Sequence, residues 1–146
     1  MHQAGHGIGA TECALLALAN PCPDSRISLI GPNTLELLCA LLRRGSTNVS
    51  ATRLSDWPQV GTADVAIIPS LNTPDTLCRA VAHARRVLAP LGTVAIHLVS
   101  GPADALSQHV RRLLLLHGFE AVRVRAFSGE ALIRAKLPLY GRIACA

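Results

Sequence analysis

The chain reads as α/β: a three-layer, doubly wound, mostly parallel sheet with helices on both faces and an antiparallel hairpin at its C-terminal end. Three observations predict this. Helical and strand-like segments alternate along the sequence, the pattern of strand-helix-strand units. Asp64-Val65-Ala66-Ile67-Ile68-Pro69 is a near-continuous apolar run, as expected of a strand covered on both faces at the centre of a parallel sheet. Toward the end the period changes to two. Val122, Val124 and Ala126 alternate with Arg123 and Arg125, Ser128-Gly129 supplies a tight turn, and Ala131, Ile133 and Ala135 alternate with Arg134 and Lys136.

Each element has a local reason. Residues 1–25 form an N-terminal extension in which Thr11 can cap a helix through Ala14, Leu15, Leu16 and Leu18. That helix must stop near Asn20, because Pro21 and Pro23 follow. Arg26–Ile30 is the first strand. Asn33, with Glu36 three residues on, has capping-box spacing, and Leu35, Leu38, Cys39 and Leu42 then recur as the inward face of a helix ended by Gly45. Asn48–Arg53 is the second strand, and Leu54–Thr62, with Trp57-Pro58 and Gly61, is an irregular connection too short for a further helix and strand.

After the central strand, Thr73-Pro74-Asp75 starts a helix with Leu77, Val81, Ala84 and Leu88 on one face, and Pro90-Leu91-Gly92 is expected to end it. Thr93–Val99 is the next strand. Gly101-Pro102 opens a helix with Leu106, Val110, Leu113 and Leu114 inward, closing at Gly118 before the hairpin.

Composition bounds the function. At 146 residues, half of them apolar, the chain has the size of one domain spanning 1–146, and it holds no apolar run long enough to cross a bilayer. No basic segment followed by an apolar one opens the chain, so the expected compartment is the cytoplasm. Five cysteines without a Cys-x-x-Cys pair read as small hydrophobes in a reducing environment, and the six histidines share no close spacing with them, so no metal site is expected. The net charge of +5 is carried almost wholly by arginine, partly in pairs at helix ends where cations offset the dipole. The four aromatics are scattered rather than interleaved with basic residues, which weighs against nucleic acid.

Helix, Gly118-Phe119 and hairpin at the end of a doubly wound sheet resemble the C-terminal third of class I S-adenosylmethionine-dependent methyltransferases, a Rossmann-like family. Val87-Leu88-Ala89-Pro90-Leu91-Gly92-Thr93-Val94-Ala95-Ile96 is similar to that family's Leu-x-Pro-x-Gly helix end and following strand. The resemblance covers roughly residues 26–138 and implies that the family's third strand is missing here. The sheet edge this leaves could pair with a second copy. Its glycine motif is degenerate. Aligning Gly31 with the family's first glycine puts Leu29 where an acid usually stands and Pro32-Asn33 where Gly-x-Gly would continue, while Thr52 and Arg53 stand where the family offers an acid to the ribose.

In open α/β sheets the ligand crevice lies beyond the carboxyl ends of the strands, where strand order reverses. That gathers Gly31 and Asn33 after the first strand, Arg53, Ser55 and Asp56 after the second, Ser70 and Asn72 after the central one, and Ser100-Gly101 after the next. Gly31, Asn33, Arg53, Asp56, Ser70 and Asn72 are the candidate cofactor residues, with Asp56 matching an acid that in the family faces the adenine amino group. Each has a local alternative as a turn or cap. No catalytic residue can be named, since a lone His97 in an apolar strand reads as a core histidine. The resemblance implies an S-adenosylmethionine-binding methyltransferase; the worn motif equally suits a non-catalytic binding or assembly module. A third reading, an NADP-binding Rossmann protein with Arg53 on the 2′-phosphate, stands behind both.

Overall fold

The computed structural model describes residues 10–99, 103–127 and 129–139. Among these residues four helices and six strands follow one another as α1 (Ala10–Ala19), β1 (Arg26–Ile30), α2 (Leu35–Arg43), β2 (Asn48–Thr52), β3 (Ala63–Leu71), α3 (Pro74–Val87), β4 (Leu88–Val99), α4 (Ala103–Leu116), β5 (Glu120–Phe127) and β6 (Glu130–Lys136). The strands form one sheet in the order β2-β1-β3-β4-β6-β5. The first four are parallel, and β6 joins β4 and β5 antiparallel. The chain passes from β2 straight to β3 through an irregular connection, so β2 forms one edge of the sheet.

Two cores sandwich the sheet. On one face, Leu15, Leu16 and Ala19 of α1 and Leu37, Ala40 and Leu41 of α2 pack on Ile27, Leu29, Ile67, Ala95 and Leu132. On the other, Leu77, Val81 and Ala84 of α3 and Val110 and Leu114 of α4 pack on Ile30, Ile68, Ile96 and Ile133. β3 contributes to both, which is why its sequence is apolar without alternation.

Several local readings are corrected. In α2 the buried face is Leu37, Ala40 and Leu41, whereas Leu35 and Leu42 are 69% and 53% exposed. A leucine-rich stretch offers two stripes at helical spacing, and packing on the sheet selects the one a residue or so away from that expected. Asn33 does not cap α2 either. Its φ of +60° is left-handed, and Thr34 occupies the cap position without a side-chain hydrogen bond.

The third correction concerns Pro90-Leu91-Gly92. Helix α3 ends at Val87, Leu88 is already extended, and β4 runs through the Pro-Leu-Gly phrase with a register jump from Ala63 opposite Leu88 to Val65 opposite Thr93. The phrase is a bulge, with Leu91 at φ +69°. A Cβ on Gly92 would lie 2.8 Å from the Ala89 carbonyl oxygen, so glycine is sterically required there. Last, Cys13 and Cys78 are exposed free thiols and Cys39 is half-buried, because apolar stretches of a helix still turn residues toward solvent, and Cys22 is exposed in the turn before β1. Nor does Thr11 cap α1: it sits inside the first turn, and its hydroxyl donates to Glu130 Oε1 at 3.4 Å. Among the described residues no helix is long and apolar enough to cross a membrane.

Candidate functional site

Strand order reverses around β1, since the chain steps to β2 on one side and later returns to β3 on the other. A recess of about 310 Å³ lies at the carboxyl ends of β1 and β2. Gly31, Pro32 and Asn33 line it from the first strand end, Thr34 and Leu35 from the start of α2, and Ala51, Thr52 and Arg53 from the second. Its size is at the lower end of small-molecule sites.

Gly31 shapes one wall. Its φ of +114° is a conformation that side-chain-bearing residues rarely adopt, and its N–H donates to the Thr52 carbonyl at 2.9 Å, tying the two strand ends together. A Cβ on Gly31 would meet nothing within 4 Å, so open space faces the backbone there. Pro32 contributes no N–H, and α2 begins two residues beyond Asn33.

Of the residues named from sequence, Gly31, Asn33 and Arg53 come together in this recess. Asp56 stays in the connection after β2, where its Oδ2 accepts from the Arg53 N–H at 2.8 Å and its own N–H donates to the Arg53 carbonyl at 3.0 Å. This is a local turn held by a carboxylate. Ser70, at φ +56°, and Asn72 are exposed at the end of β3 and are not among the residues that line the recess. Ser100 and Gly101 lie outside the described residues.

Two histidines occupy polar contacts that sequence reasoning did not find. His83, on the inner side of α3 and 4% exposed, has Nε2 at 3.3 Å from the Thr52 hydroxyl, directly behind the recess. Burial pushes its pKa below the ordinary histidine value, and the nearby Asp56 carboxylate offsets part of that. The available signal was position: His83 is three residues after Ala80 and four before Val87, on the buried side of the helix. His97, 6% exposed on β4, bonds Glu130 Oε1 through Nε2 at 2.8 Å. It is a core histidine with a partner, as its apolar strand suggested, but Glu130 could be identified only from the register that sets it beside Val99. Among the described residues no group of three or more His, Cys, Asp or Glu could hold a metal ion.

No protein-family model matches the chain, and no curated protein matches its sequence. Solved structures do match. A methyltransferase from Thermotoga maritima, described as a possible histamine N-methyltransferase dependent on S-adenosylmethionine, superposes with a TM-score of 0.60 at 15% identity over 86% of this chain and 88% of that one. Geranyl diphosphate methyltransferase, solved with geranyl diphosphate and sinefungin, gives 0.65 at 12% identity, covering 87% of this chain and 78% of its own. The [4+2]-cyclase SpnF gives 0.67 at 13% identity, with coverages of 89% and 81%. The fold is therefore that of the class I S-adenosylmethionine-dependent methyltransferases. Identities this low show the fold alone, and a cyclase among the matches illustrates that one fold serves different reactions.

Proposed function

We propose that this chain is a methyltransferase-fold domain that takes S-adenosylmethionine into the recess beside Gly31. The observation that carries the proposal is the recess itself, at the carboxyl ends of adjacent parallel strands, where an open backbone segment at Gly31 faces free space. Gly31 and Asn33 would hold the ligand from the β1 side and Arg53 from the β2 side. Asp56 keeps Oδ1 uncommitted for the adenine amino group, and Ser70 and Asn72 border the same sheet edge one strand over. When bound, the cofactor supplies an electrophilic methyl group.

The recess suits the ligand in position and only in part in chemistry. No carboxylate is among the residues lining the recess, so an arginine that can only donate stands where the ribose hydroxyls would seek an acceptor. That observation favours the second reading, a non-catalytic binding module built on the same fold.

Ligand-induced thermal stabilisation separates the readings, because a ligand at 100 times its dissociation constant adds about 2.7 kcal/mol. We expect S-adenosylhomocysteine to raise the melting temperature. Ala51→Trp, which puts a large side chain at an exposed position lining the recess, should abolish the rise. Silence with S-adenosylmethionine, S-adenosylhomocysteine, NADP and NAD alike would leave the binding module. A response to NADP alone that is lost in Arg53→Ala would replace both readings.

A further inference from the structure

The register of the C-terminal hairpin sets Arg123 directly opposite Arg134. Like charges in a cross-strand pair repel, so this arrangement calls for a counter-charge from elsewhere. Neither arginine takes part in an ion pair among the described residues, and Nε of Arg134 is buried there without a hydrogen-bond partner. Arg125 lies on the same face as Arg123, and Lys136 on the same face as Arg134, each pair two residues or about 6.8 Å apart along a strand.

Pairing with β4 identifies that face. Arg134 stands beside Ala95 and Lys136 beside Thr93, and Ala95 belongs to the core beneath α1. There α1 packs on β3, β4 and β6, while the helix that packs on β5, α4, lies on the opposite side. Arg123 and Arg125 are exposed on this edge strand. The carboxylates of the hairpin leave the arginines uncompensated. Glu130 is bonded to His97, and Glu120 is opposite Lys136.

We infer that this arginine-bearing sheet face docks single-stranded nucleic acid through its phosphates. Charge complementarity selects a polyanion, and the planar guanidinium fork, used here three times against a single lysine, matches phosphate oxygens better than a point charge does. Arg123 and Arg125, exposed in line along one edge strand, suit the phosphates of an extended strand. The scattered aromatics weigh against base stacking, but phosphate contacts need no rings, and they carry no sequence information. The surface is independent of the recess, so the inference stands whether or not an adenosyl ligand binds.

Fluorescence anisotropy with a labelled oligouridine of about 20 nucleotides, over about 0.05 to 0.3 M salt, tests it. Affinity should fall linearly with salt on logarithmic axes. Arg123→Gln and Arg125→Gln should each make the slope shallower by about 0.7 and weaken binding about fivefold at about 0.1 M salt, the signature of one lost phosphate contact. Arg43→Gln, at the far end of α2, should change neither. Arg123→Gln also removes the cross-strand repulsion, so its melting temperature should not drop. Absence of binding at the lowest salt, a slope indifferent to the hairpin variants, or equal affinity for polyglutamate would overturn the assignment.

Discussion

Buried on the inner side of α3, His83 is held close to neutral by its surroundings. Desolvation lowers its pKa and the Asp56 carboxylate only partly opposes this; His117 is lowered as well, by burial first and by Arg85 second. A proton therefore binds the unfolded chain more readily than the folded one. The stability these two groups contribute is complete above the ordinary histidine value of 6.5 and is lost as pH falls through it toward the depressed folded values. We expect the urea midpoint to decline between about pH 7.5 and about pH 5.5, and His83→Gln to flatten that decline. An unchanged slope in the variant would show that His83 is not the group responsible. The ion pair of Arg26 with Asp64, 2.9 Å long and exposed on both sides, acts lower on the scale. It holds the Asp64 carboxyl below its usual range, so its contribution fades only as pH drops through the carboxylate region.

Among the elements, α3 shows how local chemistry and tertiary contact agree. Thr73 is extended and accepts from the Thr76 N–H at 3.3 Å, Pro74 opens the first turn, and Asp75 stands near the positive end of the dipole. At the other end, Arg85 donates from Nε to the His117 carbonyl at 2.9 Å and ties α3 to the end of α4. Thr73→Ala should cost about 1 kcal/mol in denaturant unfolding. A negligible change would mean that Pro74 and Asp75 suffice. This helix was legible because cap, proline, acid and apolar stripe all pointed the same way. Helix α2 was not, since its nine residues carry leucine on more than one side and only packing on the sheet chooses between them. The Pro90–Gly92 phrase misled for a related reason: proline and glycine mark a break in geometry, and here the break is a strand bulge opposite β3 instead of a helix end.

For the molecule as a whole, stability should concentrate in the double-sided strand β3. Ile67 is fully buried, paired with Leu29 on one side and Ala95 on the other. Ile67→Ala is expected to cost about 2 to 5 kcal/mol, whereas Leu116→Ala, at a position 78% exposed on α4, should stay within about 0.5 kcal/mol. Equal effects measured by denaturant unfolding would contradict the two-core description. The site follows from the same architecture. Gly31 and Arg53 are 22 positions apart in sequence, and they share a recess because β1 and β2 are adjacent and parallel, ending side by side.

The sequence alone determined the alternation of elements, the buried centre at Val65–Ile68 and the terminal hairpin, because periodicity and turn chemistry act over a few residues at a time. It also placed the candidate residues at strand ends. Only the tertiary structure decided which of them meet: that Arg53 joins Gly31 while Asp56 turns back on its own loop, that His97 finds Glu130, and that Arg123 stands opposite Arg134. Those pairings depend on register and strand order, which are set by packing across the whole sheet and leave no mark on any single stretch of chain.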